Sequence, residues 1–226
     1  MLDDMQKGIN SAIIVAAGSG SRFGSQIPKQ FLLLNGVEVL AWSVHAFLNH
    51  PAIAEVIIVT SQPYLEGVKS RYPDCQVVLG GSTRQESVFN GLSAINTETE
   101  IALVHDAARP IIPDHIIDAC LQKLGKFDGV APAITPADSM VKIEADGFSN
   151  LNRAELRIVQ TPQCFKASVL KNAHTTGIID TDEMGLVKQA FPSARLGFVE
   201  GVPDTMKITS ASDLKMVEMY LRARSS

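Results

Sequence analysis

Two periodicities alternate along this chain. Short apolar runs at Ala12–Ala17, Glu55–Thr60, Gln76–Leu79, Ile101–His105, Gly129–Ile134 and Ala194–Glu200 read as strands. Between them, Val39–Leu48, Pro63–Arg71, Arg84–Ile95, Asp114–Leu124, Ala167–Thr175 and Asp182–Phe191 carry apolar residues three and four apart, the spacing of one helical face. A last helix is expected over Ser212–Arg224, with Ser210 and Ser212 as N-cap candidates. Strands such as Val56-Ile57-Ile58-Val59 are apolar at consecutive positions, which requires cover on both faces of a mostly parallel sheet. The expected fold is therefore α/β, a doubly wound, mostly parallel sheet in a three-layer sandwich. Ligands of such sheets bind beyond the carboxyl ends of the strands.

One stretch departs from the alternation. Between Asp138 and Asn152, apolar residues recur at every second position around Ala145-Asp146-Gly147, the signature of a β-hairpin. A hairpin inserted into a doubly wound core leaves edges that need covering, and a second copy of the chain is the simplest cover. No repeat, low-complexity tract or linker divides the sequence, so one domain is expected over residues 1–226, with an arm at about residues 136–160.

Composition narrows the function. With 24 acidic against 20 basic residues, no cationic excess points to nucleic acid. The apolar runs are far shorter than the roughly 20 residues of a membrane span. The first residues, Met-Leu-Asp-Asp-Met-Gln-Lys, carry acids where a signal peptide carries bases. Cys75, Cys120 and Cys164 are odd in number and widely spaced, so neither a disulfide framework nor a CxxC metal site is expected, and a cytoplasmic location fits.

The chemistry concentrates at strand ends. After the first strand, Gly18, Gly20 and Gly24 allow backbone N–H groups to approach an anion, and Arg22 and Lys29 add positive charge around the same loop. The glycine spacing is neither the dinucleotide fingerprint nor a Walker A loop. A nicotinamide-dependent enzyme also requires an acid closing the second strand, where Thr60-Ser61-Gln62 stands. Gly80 and Gly81 permit close approach of a flat ring, with Ser82 and Ser87 offering hydroxyls; Ser82 or Thr83 equally suits a helix N-cap. In His105-Asp106-Ala107-Ala108-Arg109-Pro110, Asp106 is either a ligand for a divalent cation or an ion-pair partner of Arg109. Thr181 reads as an N-cap, with Asp182 and Glu183 complementing the helix dipole. No histidine cluster, GxSxG elbow or Cys/His pair marks a nucleophile. Cations without a nucleophile favour chemistry by positioning and charge stabilisation, as in phosphoryl and nucleotidyl transfer.

Taken together, Ala16 to Gly24 with Pro28-Lys29-Gln30, Gly81 to Ser87, His105 to Pro110, Gln160 to Gln163, Thr181 to Glu183 and Val199 through Lys207 resemble the 2-C-methyl-D-erythritol 4-phosphate cytidylyltransferase family. The resemblance runs in order from about residue 12 to residue 221. It implies the nucleotide-diphospho-sugar transferase type of this fold and a Mg²⁺-dependent reaction of CTP with a methylerythritol phosphate, releasing pyrophosphate, in non-mevalonate isoprenoid biosynthesis. It further implies that Arg22 and Lys29 stabilise the α-phosphate and that Arg153 and Lys207 hold the acceptor phosphate. Ala16, Ala17, Gly18, Gly81, Ser82 and Ser87 would line the cytidine pocket, with Asp106 near the metal. Ala107, Arg109, Ser139, Thr161 and Thr181 complete the implied substrate contacts. The family's hairpin arm reaches across a homodimer, which would carry Arg153 and Thr161 into the neighbouring chain's site. Two departures stand out: Asp138-Ser139-Met140-Val141-Lys142 replaces the family's usual Asp-Thr before Met-Lys, and Ser82 stands where the family often has an acid. A pentitol phosphate cytidylyltransferase, such as one for ribitol 5-phosphate, is the alternative, since it shares the glycine loop and the Thr-Pro-Gln segment. A non-catalytic nucleotide sensor is a further reading, which pyrophosphate release would exclude.

Overall fold

The computed structural model describes residues 9–20, 23 and 27–224. In chain order the elements are β1 (Ile9–Ala16), β2 (Leu33–Leu34), β3 (Val37–Glu38), α1 (Val39–Leu48), β4 (Glu55–Thr60), α2 (Leu65–Arg71), β5 (Gln76–Leu79), α3 (Arg84–Ala94), β6 (Thr99–Asp106) and α4 (Asp114–Leu124). They continue with β7 (Gly129–Ile134), β8 (Met140–Glu144), β9 (Gly147–Leu151), β10 (Ile158–Val159), β11 (Gln163–Lys166), α5 (Ala167–His174), α6 (Glu183–Ala190), β12 (Leu196–Glu200) and α7 (Ala211–Arg224).

The centre of the sheet runs β6-β1-β4-β5, all parallel. Because these strands are covered on both sides, alternate residues feed two cores. Ala12, Ile14 and Ala16 of β1 pack with Leu40, Val44 and Phe47 of α1, Val68 of α2, and Ile117, Cys120 and Leu124 of α4. Ile13 points the other way, into a cluster with Val88 and Leu92 of α3, Leu170 and Ala173 of α5, and Leu186 and Val187 of α6. The consecutive apolar residues thus produce the expected three-layer sandwich. Helix α7 adds a smaller core, where Val217 and Leu221 meet Leu34, Val39, Ile111 and Ile208.

Four short strands, β2, β3, β10 and β11, escape the sequence reading, and β11 matters most to the sheet. β11 lies antiparallel between β6 and β7, with Cys164 opposite both Leu103 and Val130. Its Gln-Cys-Phe-Lys sequence is too short to show alternation and runs directly into α5. β12 pairs with β7 in parallel on the opposite edge from β10 and β11. The sheet is therefore mixed, with its parallel strands in the majority.

Two caps also need correction or refinement. Asp182, not Thr181, is the N-cap of α6, because its carboxylate accepts the Gly185 N–H at 2.8 Å. Ser210 caps α7: its hydroxyl accepts the Asp213 N–H while Asp213 accepts the Ser210 N–H at 2.8 Å.

The hairpin forms as the pattern indicates. Among the described residues β8 and β9 pair only with each other, from Met140 opposite Leu151 to Glu144 opposite Gly147, and Gly147 turns with φ +143°. Val141, Ile143 and Phe148 share one face of this arm, and Ile143 and Phe148 are 76% and 65% exposed.

Candidate active site

The loops after β1, β5 and β6 meet at the carboxyl edge of the parallel strands and enclose a cleft of about 410 Å³. Its walls include Ala17, Gly18 and Gly20 from the first loop, Gly81, Ser82 and Ser87 from the second, and Asp106 and Ala107 from the third. Lys29 and Lys207 also line it. The first loop is braced from behind by buried Gln30, whose amide donates to Ala16 O at 2.7 Å and to Gly18 O at 2.8 Å. Gly20 takes φ +68°, the left-handed region that a side chain disfavours, so the turn over the cleft depends on glycine. Lys29 is anchored by donation from Nζ to Ile208 O at 2.6 Å.

The second loop is organised by the start of α3. Thr83 is its N-cap and accepts the Glu86 N–H at 3.0 Å, while Glu86 reaches back to the Thr83 N–H, a reciprocal capping box. The Glu86 carboxylate also accepts from the Ser82 N–H at 2.7 Å and the Ser82 hydroxyl at 2.5 Å. These bonds hold the Glu86 carboxyl below the usual range. Ser87 accepts from the Gly81 N–H at 3.1 Å and donates to Thr83 O at 2.9 Å. The serine hydroxyls thus shape the loop from within. A Cβ at Gly80 would come within 2.5 Å of the Ala17 Cβ and 2.9 Å of the Ser87 Oγ, so the first two loops touch only because Gly80 lacks one.

Asp106 gathers cations. Lys207 Nζ donates to Oδ2 at 2.7 Å and Arg84 Nε donates to Oδ1 at 3.1 Å, while Arg109 Nε stands 3.9 Å from Oδ2 and makes no hydrogen bond. Burial pushes the Asp106 carboxyl up, but the charges of Arg84, Lys207 and Arg109 outweigh it and hold the group well below the usual carboxylate range. Asp106 is therefore ionised throughout the physiological range. Arg84 continues to buried Glu183, with Nη1 at 2.8 and 2.9 Å from the two carboxylate oxygens.

Behind Asp106 runs a chain of hydrogen bonds. The Asp106 N–H donates to the Thr161 hydroxyl at 3.2 Å, that hydroxyl lies 2.9 Å from His105 Nδ1, and His105 Nε2 lies 3.0 Å from Arg109 O. A carbonyl only accepts, so Nε2 carries the proton and Nδ1 accepts from Thr161. Complete burial lowers the His105 pKa to about 4, which keeps this neutral tautomer in place. The Arg109 guanidinium donates from Nη1 to Thr205 O at 2.8 Å, tying the third loop to the segment that delivers Lys207.

The implied site residues divide into three groups. Ala17, Gly18, Lys29, Gly81, Ser82, Ser87, Asp106, Ala107 and Lys207 line the cleft. Ala16, Arg109 and Thr161 stand behind its wall: Ala16 offers its carbonyl to Gln30, and Thr161 is satisfied by Asp106 and His105 of its own chain. Arg153 and Ser139 lie on the arm segment, where Arg153 Nη1 donates to Ala137 O at 2.6 Å. Thr181 is exposed in a neighbouring groove lined also by Thr83, Arg84 and His174. Arg22 and Gly24 lie outside the described residues. Sequence reasoning gave no role to Arg84 or Gln30, and saw in Glu183 only a complement to the helix dipole. Gln30 adjoined a flagged lysine, but the pairing of Arg84 with Glu183 crosses 99 positions and leaves no local signal.

Among the described residues no group of three His, Cys, Asp or Glu side chains is placed to hold a metal. Asp106 is anionic and stands at the cleft wall, the chemistry required of a Mg²⁺ ligand whose other partners are substrate phosphates and water, with its two oxygens here paired to Lys207 and Arg84.

Comparison with known proteins agrees with this geometry. The sequence profile of 2-C-methyl-D-erythritol 4-phosphate cytidylyltransferase matches residues 10–223. The protein of that name from Clostridium acetobutylicum is 36% identical over 230 residues, spanning 96% of this chain and 99% of its own. That from Endomicrobium trichonymphae is 38% identical over 220 residues, spanning 95% and 99%. The solved 4-diphosphocytidyl-2C-methyl-D-erythritol synthase of Anaerococcus prevotii superposes with a TM-score of 0.86 at 25% identity, covering 96% of this chain and 97% of its own. The Thermus thermophilus cytidylyltransferase gives 0.76 at 28% identity, with 93% and 98% covered.

Proposed function

Because the chain belongs to the 2-C-methyl-D-erythritol 4-phosphate cytidylyltransferase family, we propose a division of labour within its cleft. The enzyme joins CTP and 2-C-methyl-D-erythritol 4-phosphate to give 4-diphosphocytidyl-2-C-methyl-D-erythritol and pyrophosphate, in isoprenoid precursor biosynthesis. An acceptor phosphate oxygen attacks the α-phosphorus of CTP, and the bond from that phosphorus to the oxygen bridging to the β-phosphate breaks. The attacking oxygen is already anionic, so no general base is needed; the barrier lies in bringing two anions together.

Lys29, held over the cleft by Ile208 O, and Arg22 stabilise the crowded α-phosphate. Lys207 and Arg153 grip the acceptor phosphate. Gly18, Gly81 and Ser82 receive the nucleotide at the cleft wall, Gly81 and Ser82 through their backbone carbonyls, since the N–H groups of Gly81 and Ser82 and the hydroxyls of Ser82 and Ser87 already serve the loop. Ala107 shapes the wall near the ribose, and Ser139 and Thr181 contact the acceptor. Asp106 would hold Mg²⁺, with substrate and water supplying its other ligands. When bound, the metal offsets phosphate charge and aligns the triphosphate.

The observation that carries this reading is the meeting of Lys29, Lys207 and ionised Asp106 in a cleft walled by a glycine loop. We also place the working enzyme as a homodimer in the cytoplasm. The unpaired apolar face of the arm, Val141, Ile143 and Phe148, supports exchange of arms, and the three free cysteines support a reducing compartment. Pyrophosphate release from CTP is the test, with 2-C-methyl-D-erythritol 4-phosphate and ribitol 5-phosphate compared at equal concentration. Turnover with the first and background with the second is expected, and the reverse order would overturn the assignment.

A further inference from the structure

Glu183 presents a cost without an evident structural return. Its carboxylate is buried at the first turn of α6, and Arg84 is the cation it meets. Burial pushes its carboxyl up even against that cation. A buried ion pair of this kind is weak support for stability, because desolvation offsets most of the attraction. Its backbone is nonetheless held firmly: Gln163 Oε1 accepts both the Glu183 and the Met184 N–H groups at 3.1 Å. Glu183 is therefore a carboxyl group fixed in place against the Arg84 guanidinium in the cleft wall.

The Arg84 guanidinium is planar and engaged on two edges. Nη1 faces both oxygens of Glu183, and Nε faces Asp106 Oδ1 at 3.1 Å. Two carboxylates on two edges of one plane leave a single orientation. Asp106 is also held on Oδ2 by Lys207 at 2.7 Å. Once Lys207 turns to an acceptor phosphate, Arg84 becomes the near hold on the Asp106 carboxylate. An Arg84 without Glu183 would be drawn to the triphosphate, since it lines the cleft.

We propose that Glu183 is a positioning residue for the transfer: it restrains Arg84 from the nucleotide's phosphates and thereby keeps the Asp106 carboxylate aimed at the metal-bound nucleotide. The inference rests on the reading of Asp106 given above, and the test separates the two. Turnover is measured for Glu183→Gln, Asp106→Asn and the double variant, and binding of Mg²⁺·CTP without acceptor is measured by calorimetry. Glu183→Gln is expected to lower kcat roughly 10- to 100-fold and to weaken Mg²⁺·CTP binding, the range found for groups that orient a metal's ligands. In the Asp106→Asn background the same substitution is expected to change either quantity less than about twofold, because coupled residues are non-additive. A merely structural Glu183 would give losses that multiply in the double variant. That result, or wild-type kcat and binding in Glu183→Gln, would overturn the proposal. Asp106→Asn with normal turnover and binding would remove the Asp106 reading itself, and the positioning role with it. If Glu183→Gln does not fold, Arg84→Lys carries the same cycle, since a lysine keeps the charge but cannot face two carboxylates at once.

Discussion

A single neutral histidine ties two functional loops together. His105 donates to Arg109 O and accepts from Thr161, so protonation at Nδ1 would place a donor where an acceptor is required. Its pKa falls from 6.5 to about 4 through burial, so the folded state resists protonation more than the unfolded chain does. The linkage has a definite sign: this stability is complete above about pH 6.5 and is lost as pH falls toward about 4, amounting to on the order of 3 kcal/mol. His174 shifts in the same direction, so the contribution of His105 must be isolated by substitution. Melting temperatures across that range are expected to fall for the wild-type chain and to fall less steeply in His105→Gln. Parallel curves for the two proteins would show that His105 does not carry the acid sensitivity.

At the scale of elements, helix starts build the cleft. The capping box of α3 sets the helix register and also draws the Ser82 N–H and hydroxyl onto Glu86, fixing the loop that receives the nucleotide. Thr83→Ala is expected to cost about 1 kcal/mol, measured by urea unfolding. It is also expected to weaken CTP binding, since the loop and the helix share one anchor. An unchanged unfolding midpoint would mean that the cap is dispensable. The start of α6 follows the same logic, with Asp182 capping and Gln163 of β11 holding the next two N–H groups. A short strand in the sheet thus positions a helix terminus that supports the cleft from behind.

At the scale of the molecule, the arm leaves one large question of assembly. Arg153 sits beside the hairpin, apart from the cleft of its own chain, whereas Lys29 lines that cleft. If each active site draws Arg153 from a neighbour, Lys29→Ala and Arg153→Ala enzymes are each nearly inactive. Loss of a cation that stabilises the transition state costs on the order of 100- to 1,000-fold. Mixing the two after unfolding and refolding together is expected to restore about a quarter of wild-type turnover, as random pairing leaves half the dimers mixed with one intact site each. Mixtures no more active than the separate variants would place both residues in one chain's site. Sedimentation of the wild-type protein should show a two-chain species.

Much of this architecture is local information. The strands Glu55–Thr60, Gln76–Leu79 and Gly129–Ile134 and the helices Val39–Leu48 and Asp114–Leu124 follow the apolar pattern residue for residue, because side-chain period and burial are imposed by the backbone geometry of each segment. The hairpin around Asp146-Gly147 was legible for the same reason, and the turn at Gly20 was legible because glycine alone adopts its φ freely. Other features were not, three of them near the cleft. The antiparallel β11 carries too few residues for a period, Thr181 is less well placed than Asp182 to cap α6, and Arg84 meets Glu183 only because α3 and α6 pack on the same face of the sheet. Residue types and spacing along the chain thus determined the elements and the cations available for catalysis. Which carboxylate each cation meets was decided by tertiary packing, since Lys207 and Asp106 lie 101 positions apart and electrostatic attraction acts through space rather than along the chain.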